Sequence, residues 1–367
     1  KNQKKRIYHK TAMMKETLYV FGGANEEGRV MSDFYEYETQ TQQWHNKSHN
    51  NGNYPKGRKQ HVLVTDDIHN KLYMHGGEGE EGEITNELWE YDIEKDKWTN
   101  RTTEKAPYLA GHAGIIQQHT MYVIGGEESN DEGMTTTTTN HLYAYSILEN
   151  TWTTIDIKDL PKRANATLAP YNSFLIYSGG ENEEGEESTQ TYLISIKYKI
   201  AIELIDLEPP PARIHATSFV FGSQFVVFGG LLKDEQLDSR IYTFDFYEDT
   251  WLSPMILDIQ PRYGHTMNMM YHAENAVFKI FVFGGATSMN DDELCGDLIE
   301  FELHLSKSNL PCPTPPILNY MSLAIKDLSN LSSSTTLSQD EKHSDTSLAI
   351  KDPSNSSTTT SQDEKHS

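Results

Sequence analysis

Carboxylates are concentrated in six short stretches of this 367-residue chain. They read Asn25-Glu26-Glu27-Gly28, Glu78-Gly79-Glu80-Glu81-Gly82-Glu83 and Glu127-Glu128-Ser129-Asn130-Asp131-Glu132-Gly133. The others are Glu181-Asn182-Glu183-Glu184-Gly185-Glu186-Glu187, Lys233-Asp234-Glu235-Gln236-Leu237-Asp238 and Asn290-Asp291-Asp292-Glu293. Clustered acids attract basic or mixed-charge partners and speed their encounter. The competing use is plain solvation of a loop. Calcium is a third chemistry, but an EF-hand-type loop needs Asp or Asn at alternating positions and a later Glu. Asn130-Asp131-Glu132-Gly133 lacks that order.

Arginine and histidine recur as well. Arg58-Lys59-Gln60-His61, Arg213-Ile214-His215 and Arg262-Tyr263-Gly264-His265 are three versions of one segment, and Arg6-Ile7-Tyr8-His9 is a fourth. Another version keeps only His112, and the last keeps Arg163 with Asn165 at the expected histidine position. A metal site needs several such histidines to converge with open coordination. One histidine per distant segment argues instead for hydrogen-bonded structural roles.

The elements that position these residues repeat. Leu18-Tyr19-Val20-Phe21 precedes Gly22 and Gly23, and similar apolar runs precede Gly76-Gly77, Gly125-Gly126, Gly179-Gly180, Gly229-Gly230 and Gly284-Gly285. Successive first glycines are 54, 49, 54, 50 and 55 residues apart. A period of this size marks a propeller, solenoid or array. A Tyr follows 15 residues after the first glycine and a Trp 22 after it, as Tyr37 and Trp44 and as Tyr91 and Trp98. Phe244 and Trp251 keep those offsets. Tyr145 and Trp152 come five residues late, behind the run Thr135 to Thr139, as a surface-loop insertion would make them. Ile194 and Ala201 replace the aromatics in the fourth unit, and Glu300 or Phe301 with Ser306 in the sixth. Each unit offers four short segments between turn residues, an all-β pattern. In the first these are 9–14, 17–21, 33–38 and 41–45. The second segment is apolar without alternation, as in a strand covered on both faces. Tyr and Trp, large and apolar with one polar tip, suit packing between sheets.

Four hydrophobics, a glycine doublet and a separated Tyr and Trp resemble the Kelch repeat over roughly residues 6–305. The resemblance implies an all-β, six-bladed β-propeller, one four-stranded antiparallel sheet per blade, across residues 1–305. It places the six acidic loops around one face, with the loops entering each innermost strand. The expected picture is a collar of Arg58, Arg163, Arg213 and Arg262 inside an acidic rim. The rim comprises Glu26, Glu27, Glu80, Glu81, Asp131, Glu132, Glu183, Glu184, Asp234, Glu235, Asp291 and Asp292. The implied function is a non-enzymatic adaptor that binds a partner protein or peptide on that face, in a ubiquitin-ligase, cytoskeletal or trafficking setting. The alternative is a Kelch-type enzyme or metal-dependent specifier-like protein using the central channel. Glu293 and Asp297 match the iron-ligand spacing of such specifiers, but Phe301 stands where His is required. No nucleophile–base pair, phosphate loop or zinc spacing is evident, so no cofactor or metal is expected.

Composition bounds the partners. The net charge of −23 disfavours nucleic acid and anionic membranes for the surface as a whole. No apolar run approaches membrane-spanning length. Two cysteines, Cys295 and Cys312, give no disulfide framework and favour the cytoplasm. Three glycosylation sequons, at Asn46, Asn100 and Asn165, are weak evidence for secretion. The first residue is Lys rather than Met, so the start can be incomplete. Lys1 to Arg6 reads as a solvated lead-in, and the sixth unit as short of a fourth strand.

Residues 306–367 change character. Ser322–Ser344 and Ser347–Ser367 form a tandem repeat rich in Ser, Thr, Asn and charge, expected to be disordered. Ser338 and Ser361, each before Gln-Asp-Glu, are candidate phosphorylation sites.

Overall fold

A computed structural model describes residues 3–48, 53–130, 136–206, 208–233, 235–272, 277–288 and 293–304. The segment 306–367 expected to be disordered, with Ser338 and Ser361, lies outside the described residues. So do Asp131, Glu132, Asp234, Asp291 and Asp292 of the expected rim. The described chain is all strand and turn, in six antiparallel blades read from the channel outward. Blade 1 runs Lys10–Met14, Thr17–Phe21, Phe34–Glu38, Gln43–Asn46, and blade 2 runs Val62–Asp66, Lys71–His75, Leu88–Asp92, Lys97–Asn100. Blade 3 runs Ala113–Gln117, Thr120–Ile124, Leu142–Ser146, Thr151–Ile155, and blade 4 runs Thr167–Tyr171, Phe174–Ser178, Thr191–Ser195, Ile200–Glu203. Blade 5 has Thr217–Phe221, Gln224–Phe228 and Arg240–Asp245, then an outer edge split into Thr250–Trp251 and Met255–Ile256. Blade 6 has three strands among the described residues, Thr266–His272, Val277–Phe283 and Leu298–His304.

The aromatic spacing becomes a register. Tyr37 lies directly opposite Trp44, Tyr91 opposite Trp98, Tyr145 opposite Trp152, and Phe244 opposite Trp251. Ile194 faces Ala201, and Phe301, not Glu300, takes the aromatic position of blade 6 opposite Ile280. The insertion in blade 3 is not all loop: Thr136–Thr138 adds to Glu127–Ser129, which pairs in turn with Tyr108–Ala110.

The core is divided among the six seams. Phe21 and Phe34 of blade 1 pack against Leu72, Tyr91 and Trp98 of blade 2, and corresponding clusters join each later pair. The sixth cluster closes the circle, with Phe281 and Phe283 of blade 6 against Leu18, Val20 and Tyr37 of blade 1. A sheet covered on both faces explains why the second strands are continuously apolar.

Backbone hydrogen bonds trace the same circle. Tyr8, Gln60, Gly111, Asn165, His215 and Gly264 occupy one equivalent turn before the innermost strands. All six have positive φ, between 54° and 62°. The Tyr8 N–H donates to the Gly264 carbonyl, Gln60 to Tyr8, Gly111 to Gln60, Asn165 to Gly111, His215 to Asn165 and Gly264 to His215, at 2.8–3.3 Å. This ring corrects the alignment of two segments. His215 stands one position ahead of the recurring histidine, and Ala166, not Asn165, replaces it in blade 4. The N-terminal stretch is not merely a solvated lead-in. The Gln3 N–H donates to Gly296 O at 2.8 Å and that of Arg6 to Cys295 O at 3.1 Å, tying the start of the chain to blade 6.

Candidate interaction surface

The glycine doublets hold the blades together at one end of the channel. Both glycines of every doublet have positive φ, 64–98°, a region that costs glycine little. The second glycine donates its N–H across the seam to the backbone carbonyl at the arginine position of the next blade. The acceptors are Arg58, Leu109, Arg163, Arg213, Arg262 and, closing the circle, Arg6, at 2.8–3.0 Å. A Cβ on Gly76 would lie 2.4 Å from Leu109 O across the seam, and one on Gly77 would lie 2.8 Å from Lys59 O and His61 Cβ of its own blade, so neither position has room for one.

The arginines belong to this lattice. Nη1 of Arg6, Arg58, Arg213 and Arg262 donates to the carbonyl of the first glycine of its own blade, at 2.9–3.1 Å. The rest of each guanidinium meets an acid at the entrance to the third strand. Arg6 bonds both oxygens of Asp33 at 2.9 and 3.2 Å, and Arg262 both oxygens of Asp297 at 3.0 and 3.3 Å. Arg58 pairs with Glu87, and Arg213 approaches Asp238 at 3.6 Å while stacking over Tyr242. Arg163, half-buried, meets Gln190 and Ser188 instead. Arg58, Arg213 and Arg262 are 1–3% exposed. The expected collar is therefore a set of internal clamps. Burying a guanidinium requires a paired charge and satisfied donors. The partners of Arg6, Arg58 and Arg262 supply both, whereas Arg213 Nη2 rests on the 3.6 Å approach to Asp238 without a hydrogen bond. Glu87 is pushed up by burial, but Arg58 and Trp89 outweigh that and hold its carboxyl below the usual range. Asp33, Glu87, Asp238 and Asp297 were absent from the expected site, although three of them stand just before a third strand and so were readable from the repeat.

The acidic rim is exposed where it is described. Glu26, Glu27, Glu80, Glu81, Glu183, Glu184 and Glu235 all face solvent. On blade 1 the acids are partly answered, Glu26 by Lys5 at 2.7 Å and Glu27 by Arg29 at 3.3 Å. The residue after each doublet divides the mouth in two. It is Glu78, Glu127 and Glu181 on blades 2, 3 and 4, but Leu231, Ala286 and Ala24 on blades 5, 6 and 1. Burial, Glu78 and Glu181 together push the Glu127 carboxyl up, so the three acids share one field. Lys59 meets Glu78 at 3.1 Å and Asn165 donates to Glu181 at 2.8 Å. On the other side Ile7, Ala24, Tyr263, Ala286 and Leu294 form an apolar cluster, with Tyr8, Leu231 and Leu237 against it. Tyr8 and His215 lie 4.8 Å apart between ring centres, and Tyr8 and Tyr263 6.3 Å apart. The mouth is thus half acidic and half apolar-aromatic.

Behind the mouth, histidines bridge the blades rather than converge. His9 Nε2 lies 3.1 Å from Thr266 Oγ1, His265 Nε2 3.1 Å from Thr217 Oγ1, and His112 Nε2 3.1 Å from His75 Nδ1. His61 packs edge-on against Phe21. Among the described residues no three His, Cys, Asp or Glu are grouped to hold a metal ion. Asp297, half of the specifier-like spacing, is committed to Arg262.

The KLHDC2/KLHL20/DRC7 Kelch-repeats domain matches residues 8–200, more than half of the chain. The chain belongs to the Kelch-repeat family. An Attractin/LZTR1 β-propeller description matches residues 121–316, so the two together run through all six Kelch units. Beta-scruin of Limulus polyphemus is 25% identical over 63% of this chain and 25% of its own length. Host cell factor 1 of Homo sapiens is 23% identical over 78% of this chain and 12% of its own. Kelch repeat-containing protein 2 of Saccharomyces cerevisiae is 34% identical over 27% of this chain and 12% of its own. The Kelch chain spans a quarter or less of the length of each of these relatives.

Proposed function

We propose that this Kelch propeller is a non-enzymatic docking module that binds a basic or mixed-charge segment of a partner protein across its glycine-doublet mouth. A fold alone does not fix a function, so the reading rests on the site. The observation that carries it is the mouth's division: Glu78, Glu127 and Glu181 follow the doublets of three successive blades, opposite Tyr8 and His215, whose ring centres lie 4.8 Å apart. Like charges held together are unfavourable and are relieved by an incoming cation. The half-buried Tyr8, His215, Leu231 and Leu237, backed by the buried Tyr263, offer rigid area for an apolar anchor, the residue type that dominates docking energetics. The contacting residues are the mouth acids and the exposed Glu80, Glu81, Glu183 and Glu184 around them, with the clamp arginines holding the loops.

Selection of displayed random peptides on the immobilised chain tests this. The expected winners carry Lys or Arg beside an aromatic or large aliphatic residue, with affinity falling steeply as salt rises. Winners without basic residues, or with salt-independent affinity, would sink the reading.

A further inference from the structure

The central channel encloses a cavity of about 260 Å³ whose lining includes Lys10 and no Asp or Glu. Lys10 opens the innermost strand of blade 1 and pairs with Phe21, the last residue before the doublet. Equivalent positions in the other blades, by the same pairing, are Val62, Ala113, Thr167, Thr217 and Thr266. The repeat therefore needs no cation here. Burial first, and the Lys10 charge in addition, lower His9, His61, His112, His215 and His265, which belong to five different blades. Only a position near the channel axis reaches all five. These rings are themselves held neutral by burial, so none competes as a cation. The other half-buried lysines, Lys47, Lys59, Lys71 and Lys279, each meet a carboxylate. Lys10 has no such ion pair among the described residues. An ammonium in a confined site without a counter-ion is costly, and a bound anion relieves that cost.

We propose that the channel is a binding site for a small carboxylate or phosphate anion, with the Lys10 ammonium as its charge partner. Asn268 supplies a neutral donor on the same wall. Its amide oxygen accepts from Thr11 Oγ1, which leaves the NH2 end to donate. The burial that lowers Lys10 to about 8 leaves it mostly protonated at neutral pH and able to respond to an anion. The cavity shares Tyr8 and His215 with the docking mouth, but Lys10 and Asn268 take no part in the docking reading, so the anion site is tested independently of it.

The test is NMR of the full chain carrying lysine labelled at Cε and Nζ. Inorganic phosphate and acetate are titrated separately at fixed ionic strength. The expected result is a saturable shift of the Lys10 resonances with at least one anion, and a rise in its titration midpoint at saturation. Saturation by phosphate alone or acetate alone names the anion. Lys10→Val places the blade 2 residue type at this position, so it should fold and melt no lower than the parent. Calorimetry should show its anion affinity reduced at least tenfold. Lys10 resonances unmoved by either anion into the millimolar range would overturn the proposal, as would equal binding by Lys10→Val. The wild-type titration decides the matter even if the variant does not fold.

Discussion

Replacing Arg58 with Met separates a structural clamp from a docking contact. The Met stem keeps most of the packing but removes three interactions. The Gly76 carbonyl loses its donor at 3.1 Å, Glu87 loses its cation, and Nε no longer reaches Lys56 O. Breaking a buried ion pair from one side costs about 3–5 kcal/mol. The Glu87 side chain is 30% exposed, and water reclaims part of that, so about 2–4 kcal/mol is the expected loss. A propeller of this size loses roughly 2 °C of Tm per kcal/mol, so Tm should fall by about 4–8 °C. The assay is calorimetry on the variant, on Glu87→Met and on the double variant. The double variant should recover much of the loss, because removing both members of a buried pair is often close to neutral. Peptide affinity measured well below the melt should be unchanged. An unchanged Tm with abolished binding would refute the clamp and restore the collar.

Three further outcomes follow from the same geometry. Acid should unfold this protein early: burial holds His75 and His265 at about 3, and His9, His61 and His112 well below the usual value. Each is neutral when folded and takes a proton on unfolding below about pH 6.5. The stability is therefore present above that pH and is lost as pH falls toward 3, at up to ~1.4 kcal/mol per pH unit per histidine. Tm measured from pH 7 to 4 should drop steeply below pH 6, and a flat profile would contradict the burial. Gly77→Ala should destabilise by more than ~2 kcal/mol in urea melts, from its φ of 98° and the 2.8 Å contacts with Lys59 and His61 of its own blade. Trp98→Ala should cost about 3–5 kcal/mol, since Trp98 fills the seam between blades 1 and 2; a loss under 1 kcal/mol would mean the seam is looser than described.

The repeat was legible because each of its marks answers a local steric demand. The doublets sit where backbone must take positive φ against the neighbouring blade. The Tyr and Trp seven residues apart are cross-strand partners at a hairpin. The arginines misled because Arg is rarely buried unless paired, and the pairing acids lie far along the chain, 27 residues from Arg6 to Asp33 and 35 from Arg262 to Asp297. A charge in a repeated segment looks like surface until its partner is found. His215 misled for another reason. One residue separates it from its apparent equivalents, and only the hydrogen-bonded ring at the mouth fixes that register. The segregation of Glu78, Glu127 and Glu181 on blades 2, 3 and 4 from Leu231, Ala286 and Ala24 on blades 5, 6 and 1 is present in the sequence. Only the circular arrangement of the blades turns it into two opposed halves of one mouth.

The most direct test of the docking account is the dissociation constant of a selected basic peptide for the parent chain and for Glu78→Gln, Glu127→Gln, Glu181→Gln combined. These substitutions keep shape and remove only charge from the acidic half of the mouth. The account predicts at least tenfold weaker binding, a shallower salt dependence and an unchanged or higher Tm. Equal affinity and equal salt dependence for the two proteins would show that the partner docks elsewhere.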